Sequence, residues 1–575
     1  MKSSPFAPPL SFTRAHKRSQ FLAWRKAGAV GVALLLPSLA FGQKKATPPG
    51  GDSPATATVP VLAPLVAKNS SDLKEIVERY TADQASLNRR YDASDSPDQR
   101  KRMREHYAGW RGRLKEMEFG KLNLEGKADY VLLDNYLQYQ LALLDRADKQ
   151  RVETQPLLPF ADKLLTLQDN RRDLKPVDPA VEARLLSEVS KQIDSVRALF
   201  EQPAGRGGAT NAPARTPAPQ VSRTVANRAA EQLAALRSTV TGWYRYYDGY
   251  DPLFSWWVKA PYGKLDSAMN RYVRTLRERV VGLPAANQAV ASAAPAGGGG
   301  GGGRGGRGGG GGSGGGDANN DGPIIGDPIG AEGLKADFAH EMIPYTPEEL
   351  IAIAEKEYAF SLSEAKKASR EMGFGDDWKK AMEKVKDTYV EPGKQPDMIR
   401  DLARQAEAFF DKHDWVTIPE LAREDWRMDM MSPERQKVSP FFLGGEGILV
   451  SYPTADMSDE DKLMSMRGNN PHFSHATVFH ELNPGHHLQG FMQARYNQHR
   501  RLFATPFWNE GQSLYWEMFL WDHDFQVTPE DRMGALFWRM HRSARIIFSL
   551  NFHLGKMTPE QAIQFLVDTV DFERA

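Results

Sequence analysis

Apolar residues recur along most of this chain at helical spacing. Leu73, Ile76, Val77, Tyr80 and Leu87 repeat every three, four or seven positions with charges between them, as one face of an amphipathic helix requires. The same patterning predicts helices over about 127–148, 177–201, 223–250, 260–283, 396–412 and 530–551. Starts are marked by a capping threonine, a proline at the first helical position and a carboxylate or amide at the third. Thr346-Pro347-Glu348-Glu349, Thr528-Pro529-Glu530-Asp531 and Thr558-Pro559-Glu560-Gln561 all have this form. The best strand candidate runs from Phe441 to Tyr452, where Gly444, Gly445 and Gly447 would let another backbone approach closely. There is no βαβ alternation and no internal repeat. The predicted class is all-α, mostly helical with one small β element. Trp243, Tyr244, Tyr246, Tyr247, Trp256 and Trp257 are expected in the core.

Composition narrows the picture. The 575 residues include no cysteine, which excludes disulfides and any thiolate-ligated metal or cluster. A net charge of +1 excludes a bulk polybasic nucleic-acid binder. Mean hydropathy is −0.53, and the absence of an apolar run of 18 or more residues excludes a polytopic membrane protein. Residues 1–42 read as a secretory signal peptide: six basic residues and no acidic one, an apolar stretch from Ala27 to about Leu39, then Ala40-Phe41-Gly42. The expected location is periplasmic or extracellular. Without the six leader cations, 68 basic residues face 73 acidic ones, a balance of −5 that disfavours attraction to nucleic acid or anionic membranes. No stable membrane insertion is expected after cleavage. Residues 43–69, rich in Pro, Ala, Thr and Gly, read as a disordered lead-in. Residues 70–575 then form a single domain with flexible inserts at 203–220 and 297–316, the second holding 17 glycines in 20 residues.

One stretch carries most of the chemistry. His472, His475, His480, Glu481, His486 and His487 fall within 16 residues, and Glu510 and Glu517 follow on a predicted helix. Imidazole nitrogens with a carboxylate oxygen and no thiolate are the donors of a catalytic Zn²⁺ site that keeps one position open for water. A carboxylate beside the first histidine would take that water's proton. In the usual H-E-x-x-H pattern two histidines one turn apart converge on one ion, but position 484 is proline here. On a straight helix His486 would lie about 120° around the axis from His480, and His487 roughly 10 Å along it. Asn483-Pro484-Gly485 can absorb the extra residues by a break, since proline lacks an amide donor and glycine tolerates unusual backbone angles. Spacing alone leaves His486 and His487 both open. The isolated histidines 472, 475 and 499 read as structural.

His480-Glu481-x-x-Pro484-Gly485-His486-x-x-Gln489 resembles the signature of the bacterial family called domain of unknown function 885. Glu510-Gly-Gln-Ser-Leu-Tyr-Trp-Glu517 and Arg542-Ser-Ala-Arg545 through Thr558-Pro-Glu-Gln-Ala resemble it too, so the likeness runs from about residue 70 to the end. That family in turn resembles the helical zinc peptidases of the thimet oligopeptidase and carboxypeptidase Taq type. Their third ligand stands in an E-x-x-S-x-x-x-E helix about 30 residues after the first histidine, and Glu510-x-x-Ser513-x-x-x-Glu517 matches it. The resemblance implies a helical cleft, one zinc ion held by His480, His486 and Glu510, Glu481 as general base, and Glu517 in support. His487, Tyr515 and His553 are further supporting candidates. Gln512 stands where the family carries an aromatic residue. The family continues through another helical stretch where this chain stops at Ala575 without a helix-stop signal, which points to a truncated C-terminus. Those peptidases draw an oxyanion-stabilising Tyr or His from their C-terminal part; here His541, Arg545 and His553 are the candidates.

The expected function is therefore a secreted zinc-dependent peptidase acting on oligopeptides, with the Gly444–Val450 strand pairing with substrate backbone. Two alternatives share the scaffold: a non-catalytic metal- or peptide-binding protein, and a metal-dependent amidase on a non-peptide substrate. Exo- or endopeptidase action, residue preference and oligomeric state are not encoded in these patterns.

Overall fold

A computed structural model describes residues 70–201, 220–283, 323–436, 441, 444–445 and 447–573. The expected signal peptide and lead-in, and both inserts apart from Gln220, lie outside them. The described residues all belong to one compact unit, Val61–Ala575. The fold is all-α with one small sheet. In chain order the helices are α1 (Lys74–Arg90), α2 (Pro97–Lys115), α3 (Leu124–Thr154), α4 (Ala161–Arg172), α5 (Pro179–Glu201), α6 (Arg223–Tyr247) and α7 (Pro252–Thr275), which runs into a π turn at Leu276–Val281. There follow α8 (Gly330–His340), α9 (Pro347–Glu371), α10 (Trp378–Lys386), α11 (Gln395–His413), α12 (Glu420–Glu424), strand β1 (Arg427–Met430), α13 (Pro433–Gln436) and strand β2 (Gly447–Val450). The chain closes with α14 (Asp459–Gly468), α15 (Pro471–Glu481), α16 (His486–Gln493), a 3-10 turn at Gln498–Phe503, α17 (Pro506–Asp522), α18 (Pro529–His553) and α19 (Pro559–Val570). Among the described residues no helix is long and apolar enough to cross a membrane.

The predicted helices are present: those over 127–148, 396–412 and 530–551 extend further at both ends, that over 260–283 starts earlier at Pro252, and those over 177–201 and 223–250 are slightly shorter. The Thr-Pro starts cap as expected: Thr346 and Thr558 form complete capping boxes, and Thr528 accepts from the Asp531 amide. The strand is shorter than Phe441–Tyr452. Among the described residues of that stretch Gly447–Val450 pairs, in parallel with β1, with Arg427 opposite Gly447 and Met430 opposite Val450. β1 escaped the sequence reading because four residues are too few to display an alternation. The aromatic expectation needs a second correction. Trp243 and Tyr244 are buried, but Tyr246, Trp256 and Trp257 are exposed. Trp256 and Trp257 lie off the face of α7 that buries Phe254 and Val258, and Tyr246 faces away from the core that covers Trp243.

The apolar core is divided, and that division positions the site. Helices α4 to α7 enclose one cluster around Phe160, Trp243, Phe254 and Tyr272. In the C-terminal half, one cluster gathers Phe410, Ile448, Val450, Val478, Phe479 and Leu482, and another gathers Trp378, Phe473, Ala476, Phe537 and Trp538. Helix α15 contributes to both, so it is buried on nearly all sides from Phe473 to His480. Burial of a side chain such as Phe479 contributes about 1.5–3 kcal/mol, and residues on two faces make the helix a fixed spine.

Candidate metal centre

Four helices build the site, α15 to α18, and all but α16 start with a capped proline. Asn470 accepts from the amides of His472 and Phe473 ahead of α15; Thr505 accepts from the Trp508 amide ahead of α17; Thr528 caps α18. Helix α15 stops at Glu481. The Asn483–Pro484 peptide bond is cis, and the Gly485 amide turns back to donate to the Phe479 carbonyl at 2.9 Å. A Cβ at Gly485 would stand 1.8 Å from the carbonyl oxygen of His480, so no other residue fits this turn. Asn483 anchors it through Glu407 Oε1 at 2.8 Å and the Ala422 carbonyl at 3.1 Å. The proline–glycine break thus folds α16 back on the end of α15.

The consequence is convergence. The rings of His480 and His486 lie edge to face with centroids 4.8 Å apart. Their Nε2 atoms stand 3.4 Å and 3.6 Å from the two carboxylate oxygens of Glu510 on α17. One donor atom from each residue lies within 4.8 Å of the other two. Bonds of about 2.0–2.2 Å to a tetrahedral zinc imply donor separations of roughly 3.3–3.6 Å; the two histidine–Glu510 separations are of that size and the third lies within 4.8 Å, so these residues could hold such an ion. His480 is buried, whereas the Glu510 side chain is 66% exposed, which leaves the cluster open on its solvent side.

The opposite nitrogens are held by α17 and α18. His480 Nδ1 meets Glu517 Oε1 at 2.6 Å, and Arg542 on α18 pairs with Glu517, its Nε 3.1 Å from Oε2. His486 Nδ1 lies 3.3 Å from the Ser513 hydroxyl. Partners of this kind fix ring orientation and keep Nε2 pointed at the shared centre. Charge is balanced accordingly. Burial disfavours a proton on His480, but Glu510 and Glu517 overcome it and raise the imidazole to about 9. Burial pushes Glu517 up, but Arg542 and His480 bring it down to about 2. The two imidazoles hold Glu510 well below the usual carboxylate range.

Glu481, next to the first histidine, is set differently. Its carboxyl is pushed up by burial, against the opposing pull of His480 and His486, and its Oε2 accepts from the Gly444 amide at 2.6 Å. A Cβ on Gly444 would stand 2.4 Å from the Glu481 carbonyl oxygen. The expected close approach at this glycine is real, and its partner is Glu481.

The other candidates lie elsewhere. His487 turns away, its Nε2 2.9 Å from the Ala422 carbonyl and 3.1 Å from Asp425. Tyr515 is exposed against Trp516 and Phe519. His553 accepts from the Ile329 amide at 3.3 Å. His541 stacks on Phe572, and burial with Arg545 and Arg542 nearby lowers it to about 3. His472 pairs with Asp531, His475 stacks on Phe525 and His499 pairs with Asp129. Ser513 was named only as part of a motif, and Arg542 only as part of a similar segment. Each is one of many such residues until the fold brings it to the site.

A family model described as "Bacterial protein of unknown function (DUF885)" matches residues 80–575. Among solved structures, a protein from Shewanella oneidensis, classed provisionally as a lipoprotein of unknown function, superposes with a TM-score of 0.57 at 16% identity over 88% of each chain. No curated protein matches this sequence.

Proposed function

The chain belongs to the bacterial DUF885 family, and for this member of it we propose the activity of an exported, zinc-dependent metallopeptidase. The observation that carries the reading is the convergence of His480 Nε2, His486 Nε2 and the Glu510 carboxylate beside Glu481, on a centre open to solvent. Zinc bound by these donors supplies a Lewis acid that polarises a carbonyl and brings the pKa of a water toward ~7. The protein's own groups do the rest. Glu481, with its carboxyl raised by burial and held by the Gly444 amide, accepts a proton from the attacking water and delivers it to the departing amine. Glu517 and Ser513 hold the two imidazoles in register. Gly444 lies against Glu481 and β2 begins at Gly447, and the backbone of β2 offers a peptide substrate the ladder that strand addition uses. Export rests on the charged, apolar and small-residue order of the first 42 residues. The lipoprotein description of the Shewanella protein fits an envelope location.

Metal content and a peptide-library digest test this together. The expected result is a single zinc ion per chain, lost in Glu510→Ala, and ordered cleavage. Glu481→Gln should keep the metal and lose about 10²–10⁴-fold in turnover. Zinc retained by a chain that cleaves no peptide would leave a metal-binding protein, and full activity in Glu481→Gln would remove the proposed base.

A further inference from the structure

Away from the metal centre, the tip of the hairpin formed by α6 and α7 leaves large apolar side chains in solvent. Tyr246, Tyr250, Leu253, Trp256 and Trp257 are between 50 and 88% exposed. Leu253, Trp256 and Trp257 are three and four residues apart and share one face of α7. Leu174, at the end of α4 and equally exposed, joins Tyr246 in lining a groove of about 390 Å³.

The rest of that groove is basic, through Arg89, Arg90, Arg171 and Arg172. Arg90 pairs with Asp173, which Lys175 also meets at 3.1 Å, and Arg172 pairs with Asp92. Arg171 donates to Gln168 at 2.8 Å, stacks over Tyr246 and reaches Asp92 only at 4.0 Å. Arg89 donates to the Ser86 hydroxyl at 3.0 Å. Five cations thus stand beside two carboxylates, which four of them contact, and burial together with Arg172 lowers the pKa of Arg171. Lys259 and Lys264, exposed on α7, continue the positive sign. The hairpin's own acids are occupied: Asp248 accepts from the Ser255 hydroxyl at 2.9 Å, and Asp251 from the Leu253 and Phe254 amides.

We propose that this hairpin tip docks on anionic phospholipid membranes, with Trp256, Trp257 and Tyr250 seated among the headgroups and a headgroup phosphate in the arginine groove. Tryptophan and tyrosine prefer the headgroup level, where one end of the ring is apolar and the other wet. Guanidinium forks match phosphate oxygens in pairs. The near-neutral total charge conceals the local excess. At physiological ionic strength, screening over about 8 Å makes the patch decisive, not the chain-wide balance that disfavours anionic membranes. Such docking holds a protein on the surface without spanning it.

Vesicle sedimentation of the full chain tests this, because any leader present is shared by every protein compared. Phosphatidylcholine vesicles with about 30% phosphatidylglycerol should bind the wild type, and pure phosphatidylcholine much less. Trp256→Ala/Trp257→Ala should weaken binding about tenfold, and Arg89→Ala and Arg171→Ala about fivefold each. Trp256, Trp257 and Arg89 are exposed and Arg171 is half-buried, and circular dichroism confirms folding of each variant. Equal sedimentation of wild type and the tryptophan variant overturns the proposal, as does equal binding to neutral vesicles. Calorimetric uptake of inorganic phosphate without vesicle binding would reveal a free-anion site and overturn it too.

Discussion

Two clusters in this protein are made from the same ingredients: a histidine, two glutamate or aspartate carboxylates and an arginine. In the first, His499 and Arg500 both reach Asp129 at 2.6 Å, and Arg500 extends to Glu125. Asp129 is fully buried there, and the group ties the 3-10 turn before α17 to α3. In the second, His480 meets Glu517, Arg542 pairs with Glu517, and Glu510 stands across from the other ring nitrogen. The first cluster is closed on itself. In the second, a second imidazole points at the same place and the rim carboxylate faces solvent. Residue type does not distinguish a structural knot from a metal centre; donor atoms converging on a shared open point do.

The sharpest way to break this comparison is to exchange the neighbours His486 and His487. His486→Ala removes a donor and should abolish zinc binding and turnover together. His487→Ala should leave the metal stoichiometry unchanged. It should cost about 1–3 kcal/mol of stability by stranding the Ala422 and Asp425 partners. Metal analysis beside urea unfolding separates the two, and zinc lost from His487→Ala alone would mean that the break brings the other ring to the metal. At the other cluster the expected effect is on stability alone. Asp129→Ala leaves Arg500 and His499 without their shared carboxylate and should cost about 3–5 kcal/mol. Turnover per folded molecule should not change. A selective loss of activity with stability intact would make the knot part of the catalytic apparatus.

Much of this was legible before any coordinates. The helical class follows from apolar spacing, and the helix starts from Thr-Pro signals that the capping hydrogen bonds repeat. The two histidines, Glu481 and Glu510 stood out because their types and spacing carry metal chemistry. What sequence could not say was which of His486 and His487 faces His480, because that depends on how Pro484 and Gly485 direct the chain. It could not find Arg542 in its role, since a salt bridge across 25 residues between α17 and α18 has no local signature. Nor could it separate Trp243 from Trp256: both are aromatic at helical spacing, and only the face that each helix turns to its neighbours decides which is covered.

The subtlest expected effect concerns pH in the metal-free protein. Burial opposes a proton on His480, yet Glu510 and Glu517 raise its folded-state pKa to about 9, above the ~6.5 of an unfolded histidine. A raised basic group contributes stability that is fully present below the unfolded value and lost as pH climbs through the folded one. Glu517 works in the other direction. Burial alone would raise it, but Arg542 and His480 lower it to about 2, so its contribution is present above ~4.3 and lost as pH falls toward about 2. Metal-free protein should therefore be least affected by these groups' titration between about pH 4.5 and 6.5, with its urea midpoint falling from pH 6 to pH 9. The same midpoints in His480→Gln isolate the histidine's share, which should vanish in that variant. Zinc on Nε2 would take the place of the proton, so loading the wild type should remove the alkaline loss. The other cluster, where no second imidazole converges beside His499, should respond to zinc not at all. An alkaline slope that persists in His480→Gln would assign the effect to other groups and remove the electrostatic distinction between the two clusters.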